Sequence, residues 1–124
     1  MSTAPKAEVV RVYEDAGRSG TERRVLVDRL WPRGVRKETL DLDDWAKDVA
    51  PSTELRRWYS HVPERFAEFA RRYRDELAQE PAASACRALQ QQARGHRLVL
   101  LTATRDLEHS GATVLRRVLE EPGR

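Results

Sequence analysis

The spacing of apolar and polar positions changes several times along the chain, and each change marks an element. From Glu8 to Tyr13 the residues alternate around Val9, Val10 and Val12, which predicts a strand; Asp15, Gly17, Ser19 and Gly20 behind it read as a loop. From Arg24 to Leu30 the run is more continuously apolar through Val25, Leu26 and Val27, as in a strand covered on both faces, and Pro32 and Gly34 stop it. Leu40 to Val49 is a short amphipathic stretch holding Trp45. Pro51 breaks the chain there, and Ser52 suits the N-cap of a helix from Thr53 to about Ser60. A second helix is predicted from Pro63, with Phe66, Phe69, Ala70, Tyr73 and Leu77 at helical spacing. The pairs Glu68–Arg72, Arg71–Asp75 and Arg72–Glu76 line its solvated side. After Pro81, Ala82, Ala85, Cys86, Leu89 and Ala93 share one helical face, with Gly95 placed as a left-handed C-terminal cap. Leu98 to Leu101 is the clearest buried strand, leading into Thr102 to Asp106. A last helix carries Val114, Leu115, Val118 and Leu119 inward, starts between Asp106 and Ser110, either of which can cap it, and ends before Pro122-Gly123.

Helices that separate apolar strands predict an α/β fold: a small three-layer sandwich with a mostly parallel, mixed sheet flanked by helices. The strands Arg24–Leu30 and Leu98–Thr102 should be parallel, because long helical crossovers lie between them. The first two strands are joined by a connection too short for a comfortable crossover helix, which predicts an antiparallel edge. Residues 8–121 are read as one domain behind a flexible segment, 1–7.

Size and composition narrow the class. A chain of 124 residues, 40% hydrophobic and 35% charged, suits one soluble core without staples. The single cysteine, Cys86, cannot form an intramolecular disulfide; it falls on a core stripe, so a reducing, cytoplasmic setting is expected. No export signal or membrane-spanning run is visible in the sequence. With 23 basic against 20 acidic residues, the net charge of +3 is too mild to establish a nucleic-acid partner by itself.

Ligands of open α/β sheets bind beyond the carboxyl ends of the strands. Two polar segments leave the two best strands: Asp28 to Lys37, and Thr102 to His109. Facing each other, they would bring Arg29, Arg33 and Arg105 together as forked contacts for a carboxylate or phosphate, with Trp31 beside them. Asp28, His61, Asp106 and His109 are the candidate acid–base groups. Each has a plainer role: Asp28 paired with Arg29, Trp31 as packing, Asp106 as a helix cap, and the histidines, His96 among them, as turn or surface residues. No Gly-x-Ser-x-Gly elbow, Gly-rich phosphate loop, paired-cysteine zinc spacing or His-Glu-x-x-His appears, so known motif chemistry is absent: no metal site is indicated, and the sequence identifies no particular cofactor.

The run Val27-Asp28-Arg29-Leu30-Trp31-Pro32-Arg33-Gly34 resembles the hallmark of the domain of unknown function 488 family, YeaO-like branch. The likeness continues through Asp44-Trp45, Pro51-Ser52-Thr53-Glu54-Leu55-Arg56, Trp58, His61, Pro63, Phe69, Tyr73 and Leu77. It resumes at Leu100-Leu101, Ala103, Arg105-Asp106 and Glu108-His109. The resemblance implies a small bacterial cytosolic α/β protein and assigns no activity. Thr102 stands where such proteins commonly have an aromatic, and Ser110-Gly111 where they have Asn or His. The leading functional expectation is a protein that binds or acts on a small anionic, nucleotide-like or phosphorylated ligand. Nucleic-acid binding through Arg33, Arg36 and Lys37 is the alternative, and metal or haem ligation by His61 or His109 a weaker one.

Overall fold

In a computed structural model that describes residues 6–121, four strands form one parallel sheet. The strands are β1 (Ala7–Arg11), β2 (Arg23–Leu26), β3 (Asp44–Trp45) and β4 (Leu98–Thr102), in the order β1-β4-β2-β3. Four helices follow the predicted apolar periodicity: α1 (Thr53–Tyr59), α2 (Phe66–Leu77), α3 (Ala82–Gln92) and α4 (Gly111–Glu120). The result is the expected α/β sandwich. Of the segment 1–7, residues 1–5 lie outside the described residues and Ala7 already opens β1. The Pro122-Gly123 stop also lies outside them, beyond the end of α4 at Glu120.

β4 is the centre of the sheet, with all five residues buried. Its alternate side chains divide the interior in two. Val25, Leu98 and Leu100 face a core to which all four α-helices contribute, through Leu55, Phe69, Leu89 and Leu115 among others. Cys86 is buried in that core, as its position on the apolar stripe predicts. Leu26, Val99 and Leu101 point the other way, where Leu40, Trp31, Val35, Leu42 and Trp45 cover them. Loop and turn residues between β2 and β3 thus form most of the second covering layer.

The expected antiparallel edge does not form. β1 pairs with β4 in parallel, Ala7 opposite Leu98 through Arg11 opposite Thr102, and β4 separates β1 from β2. A hairpin reading assumes that consecutive strands are neighbours. Here the segment 12–22 returns along the sheet without a helix, which extended chain at about 3.3 Å per residue easily allows. The strands are also shorter than their apolar runs. The first gives way at Val12–Glu14 to a 3-10 turn. The second leaves the sheet after Leu26, although Val27 N–H still donates to Leu101 O at 3.0 Å. The Leu40–Val49 stretch becomes the edge strand β3, held by Asp43 N–H to Arg24 O (2.8 Å) and Ala46 N–H to Leu26 O (2.9 Å), and a 3-10 turn.

The caps are as local chemistry requires. Ser52 Oγ accepts from Leu55 N–H at 3.1 Å and starts α1. Of the two candidates for the last helix, Ser110 caps it, accepting from Thr113 N–H at 3.2 Å; Asp106 instead precedes a 3-10 turn at Leu107–His109. Pro63 begins a 3-10 turn, and the α-helix proper starts at Phe66. Gly95 has the left-handed φ of +78° expected of it, past the end of α3 at Gln92. Among the described residues, no helix is long and apolar enough to cross a membrane.

Candidate functional site

Parallel pairing places the carboxyl ends of β2 and β4 side by side, so the two polar segments do leave the sheet together. Asp28 joins them. Its carboxylate accepts from Thr102 Oγ1 at 2.6 Å and from Ala103 N–H at 2.8 Å. The expected ion pair of Asp28 with Arg29 is not formed. Arg29 turns instead to backbone carbonyls before α1, with Nε 3.3 Å from Pro51 O and Nη2 3.1 Å from Ala50 O. Gly111 marks a close approach, since a Cβ there would lie 3.1 Å from Pro51 Cγ and 3.6 Å from Phe69 Cζ.

Burial pushes the Asp28 carboxyl above its ordinary value near 3.8, against the two hydrogen bonds and the positive charge of Arg56, which oppose it. Arg56 was not singled out from the sequence. It lies one turn into α1, half-buried, and its guanidinium makes no hydrogen bond or ion pair with the described residues. Its charge acts on Asp28 through space. The signal for it was the Ser52 N-cap, which fixes the phase of α1.

The remaining candidates gather on the helical side. His109 Nδ1 donates to Asp106 Oδ2 at 2.7 Å, and this bond holds the Asp106 carboxyl below its ordinary value. Tyr59 of α1 donates to His109 O at 2.6 Å, and Phe66 meets the His109 ring edge-on at 5.2 Å. Burial, with the Asp106 charge adding, pushes the Tyr59 phenol up. His61 is exposed in a left-handed conformation (φ +55°), its ring 6.1 Å from that of Tyr59. Arg105 is exposed, without an ion pair to the described residues.

Other predicted residues lie apart. Trp31 packs on the opposite face, its Nε1–H donating to Val35 O at 2.6 Å and its ring 5.4 Å from Trp45. Arg33 is exposed, and its carbonyl accepts from the Tyr13 hydroxyl at 2.7 Å. Arg29, Arg33 and Arg105 are therefore not drawn into one bonded clamp. His96 lies far off, with Nδ1 2.9 Å from Thr21 O. Among the described residues no group of three or more His, Cys, Asp or Glu is placed to hold a metal ion. An open hollow of about 370 Å³ between β3 and α3, lined by Trp45, Lys47, Ala85 and Gln92 among others, touches none of the candidates at the β2 and β4 ends.

Asp28 gives a prediction here. In Asp28→Asn the amide oxygen still accepts from Thr102 or Ala103 but not from both with the same geometry, which lowers stability by about 1 kcal/mol at neutral pH. A carboxyl whose folded pKa is raised contributes stability that is complete below the unfolded value near 3.8 and lost as pH rises through the folded value. Only the wild type carries that contribution. The gap between the two proteins in urea unfolding should therefore widen as pH falls toward 3.8.

Over residues 6–123 the chain matches the family described as the inactive DUF488-N3 subclade. It is 48% identical over 120 residues to uncharacterized proteins of Mycobacterium bovis and Mycobacterium tuberculosis, covering 96% of this chain and 98% of theirs. It is 49% identical over 69 residues to the uncharacterized protein YeaO of Escherichia coli, covering 56% of this chain and 59% of that one. No solved structure matches.

Proposed function

The chain belongs to the DUF488 family, within its inactive N3 subclade, and we propose that it binds a small anionic ligand at the carboxyl ends of β2 and β4 without transforming it. The observation that carries this reading is Arg56. Arg56 is half-buried at the β2 and β4 ends, and its guanidinium nitrogens stay open to solvent with no hydrogen-bond acceptor among the described residues. A phosphate or carboxylate arriving from solvent would supply it in a forked, charge-assisted geometry. Arg105, exposed and without an ion pair to the described residues, adds a second cation on the segment that leaves β4. Asp28, buried enough to have a raised pKa, holds the two strand exits in register. The Asp106–His109 pair and His61 supply polar contacts on the helical side.

The word inactive in the family's description supports capture over turnover. The lone, buried Cys86 supports a reducing, cytoplasmic setting.

A thermal-shift screen with inorganic phosphate, pyrophosphate, AMP and ADP tests the reading. At 100 times its dissociation constant, a ligand specific for the folded state stabilises by about 2.7 kcal/mol, which raises Tm by roughly 10 °C in a domain of this size. No shift with any of these anions would remove the proposal.

A further inference from the structure

The loop-covered face of the sheet, with its β3 edge where Trp45 and Lys47 also border α3, carries features that a small-anion site does not use. We infer that this face binds single-stranded nucleic acid, stacking bases on Tyr13, Trp31 and Trp45 while the cations beside them take the phosphates. Each of the three rings has a cation on its face. Arg11 lies 4.7 Å from the centroid of Tyr13, Lys37 5.8 Å from that of Trp31, and Lys47 4.1 Å from that of Trp45. Direct contacts make the rings one surface: Trp31 meets Trp45 edge-on at 5.4 Å, and the Tyr13 hydroxyl bonds the carbonyl of Arg33, two residues beyond Trp31. Tyr13 is 46% exposed, and Leu30, beside Trp31, is 65% exposed.

Most cations beside these rings lack a carboxylate partner among the described residues; the exception is Arg11, which meets Glu14 at 3.5 Å. Arg18, Arg24, Arg71, Arg72, Arg74, Arg87 and Arg97 each pair with a carboxylate. Arg33, Arg36, Lys37 and Lys47 are all exposed, and none of them pairs with a carboxylate among the described residues. Unpaired cations interleaved with aromatic rings are what a flexible polyanion with stackable bases recognises. The rings are anchored at their polar edges, Trp31 Nε1–H to Val35 O and Trp45 Nε1–H to Asp28 O at 2.7 Å, so they form a fixed platform. Lys37 and Lys47 now cover ring faces; because their stems are flexible, they can swing aside to phosphates and release those faces to bases. Glu38, Asp44 and Asp48 are exposed on the same stretch of chain, which holds the net attraction to a moderate level and makes it sensitive to salt.

The test is a fluorescence titration with oligo(dT) and oligo(U) of about 12 nucleotides. Trp58 lies on α1 between Arg65 and Arg72, so a Trp58→Phe background leaves Trp31 and Trp45 as reporters. Quenching on binding is expected. With four phosphates neutralised, affinity should fall roughly 50-fold between about 50 and 200 mM salt. Replacing Arg33, Arg36, Lys37 and Lys47 together by Ala, all exposed, should leave Tm unchanged and weaken binding by at least about tenfold. Absence of binding at low salt overturns the inference. Equal affinity for a duplex of the same length, or for inorganic polyphosphate, without quenching, also overturns it, because charge alone would then account for the binding.

Discussion

Arg24→Met should lower the free energy of unfolding by about 3–5 kcal/mol, the largest single-residue loss expected in this chain. Arg24 is 1% exposed. Its guanidinium is satisfied on every side: Nη2 by Asp15, Nη1 by Glu22 at 3.4 Å and by Gly17 O at 3.3 Å, and Nε by Asp41 O at 2.7 Å. Glu22 is buried too, and its carboxyl is held below the ordinary range by the Ser19 N–H, helped by Arg97 and by the charge of Arg24. Removing the arginine alone leaves Asp15 and Glu22 with a buried charge deficit. The 12–22 connection, which lets β1 lie parallel to its neighbour, would lose the residue that ties it to β2. The combined variant Asp15→Asn, Glu22→Gln, Arg24→Met should recover more than half of the loss, since the penalty comes from stranded charges and not from missing volume. Urea midpoints for the single and combined variants decide this.

Arg56→Ala should weaken binding of the best anion from the screen by about 30- to 100-fold, the value of one to two charge-assisted hydrogen bonds at about 1.4 kcal/mol per factor of ten. Stability should change little, because the Arg56 side chain makes no hydrogen bond to the described residues. Arg56→Lys keeps the charge without the planar fork and should fall between the two. Arg105→Ala should cost less, because its exposed position leaves its contact screened by water. Calorimetric titration measures each. Equal affinities for wild type and Arg56→Ala would move the site elsewhere.

The fold was largely legible because burial leaves a periodic record. Leu98 to Leu101 are apolar without interruption, and β4 is the strand covered on both faces. Phe69, Tyr73 and Leu77 recur at helical spacing, and α2 buries those three. The direction of β1 was not legible, because which strands become neighbours depends on β4 inserting between β1 and β2, a contact distant in sequence. Nor was the burial of Arg24: an arginine opening an apolar run looks like a solvated strand end until Asp15, Gly17 and Glu22 fold over it.

The site was legible in place and not in detail. Asp28 and Thr102 meet where two parallel strands must end together. Arg29 was misleading because side-chain direction at a strand exit depends on the turn that follows, and that turn sends it to Ala50 O and Pro51 O. Arg56 was missed because on sequence alone it is one of two adjacent arginines in a polar stretch; only the packing of α1 separates it from Arg57, which is exposed.

An amide-resolved NMR titration with the anion that most raises Tm tests the central claim most directly. Shifts should concentrate at residues 28–29, 56 and 102–109 and vanish in Arg56→Ala. Shifts confined to other parts of the chain, or an unchanged pattern in Arg56→Ala, would contradict it.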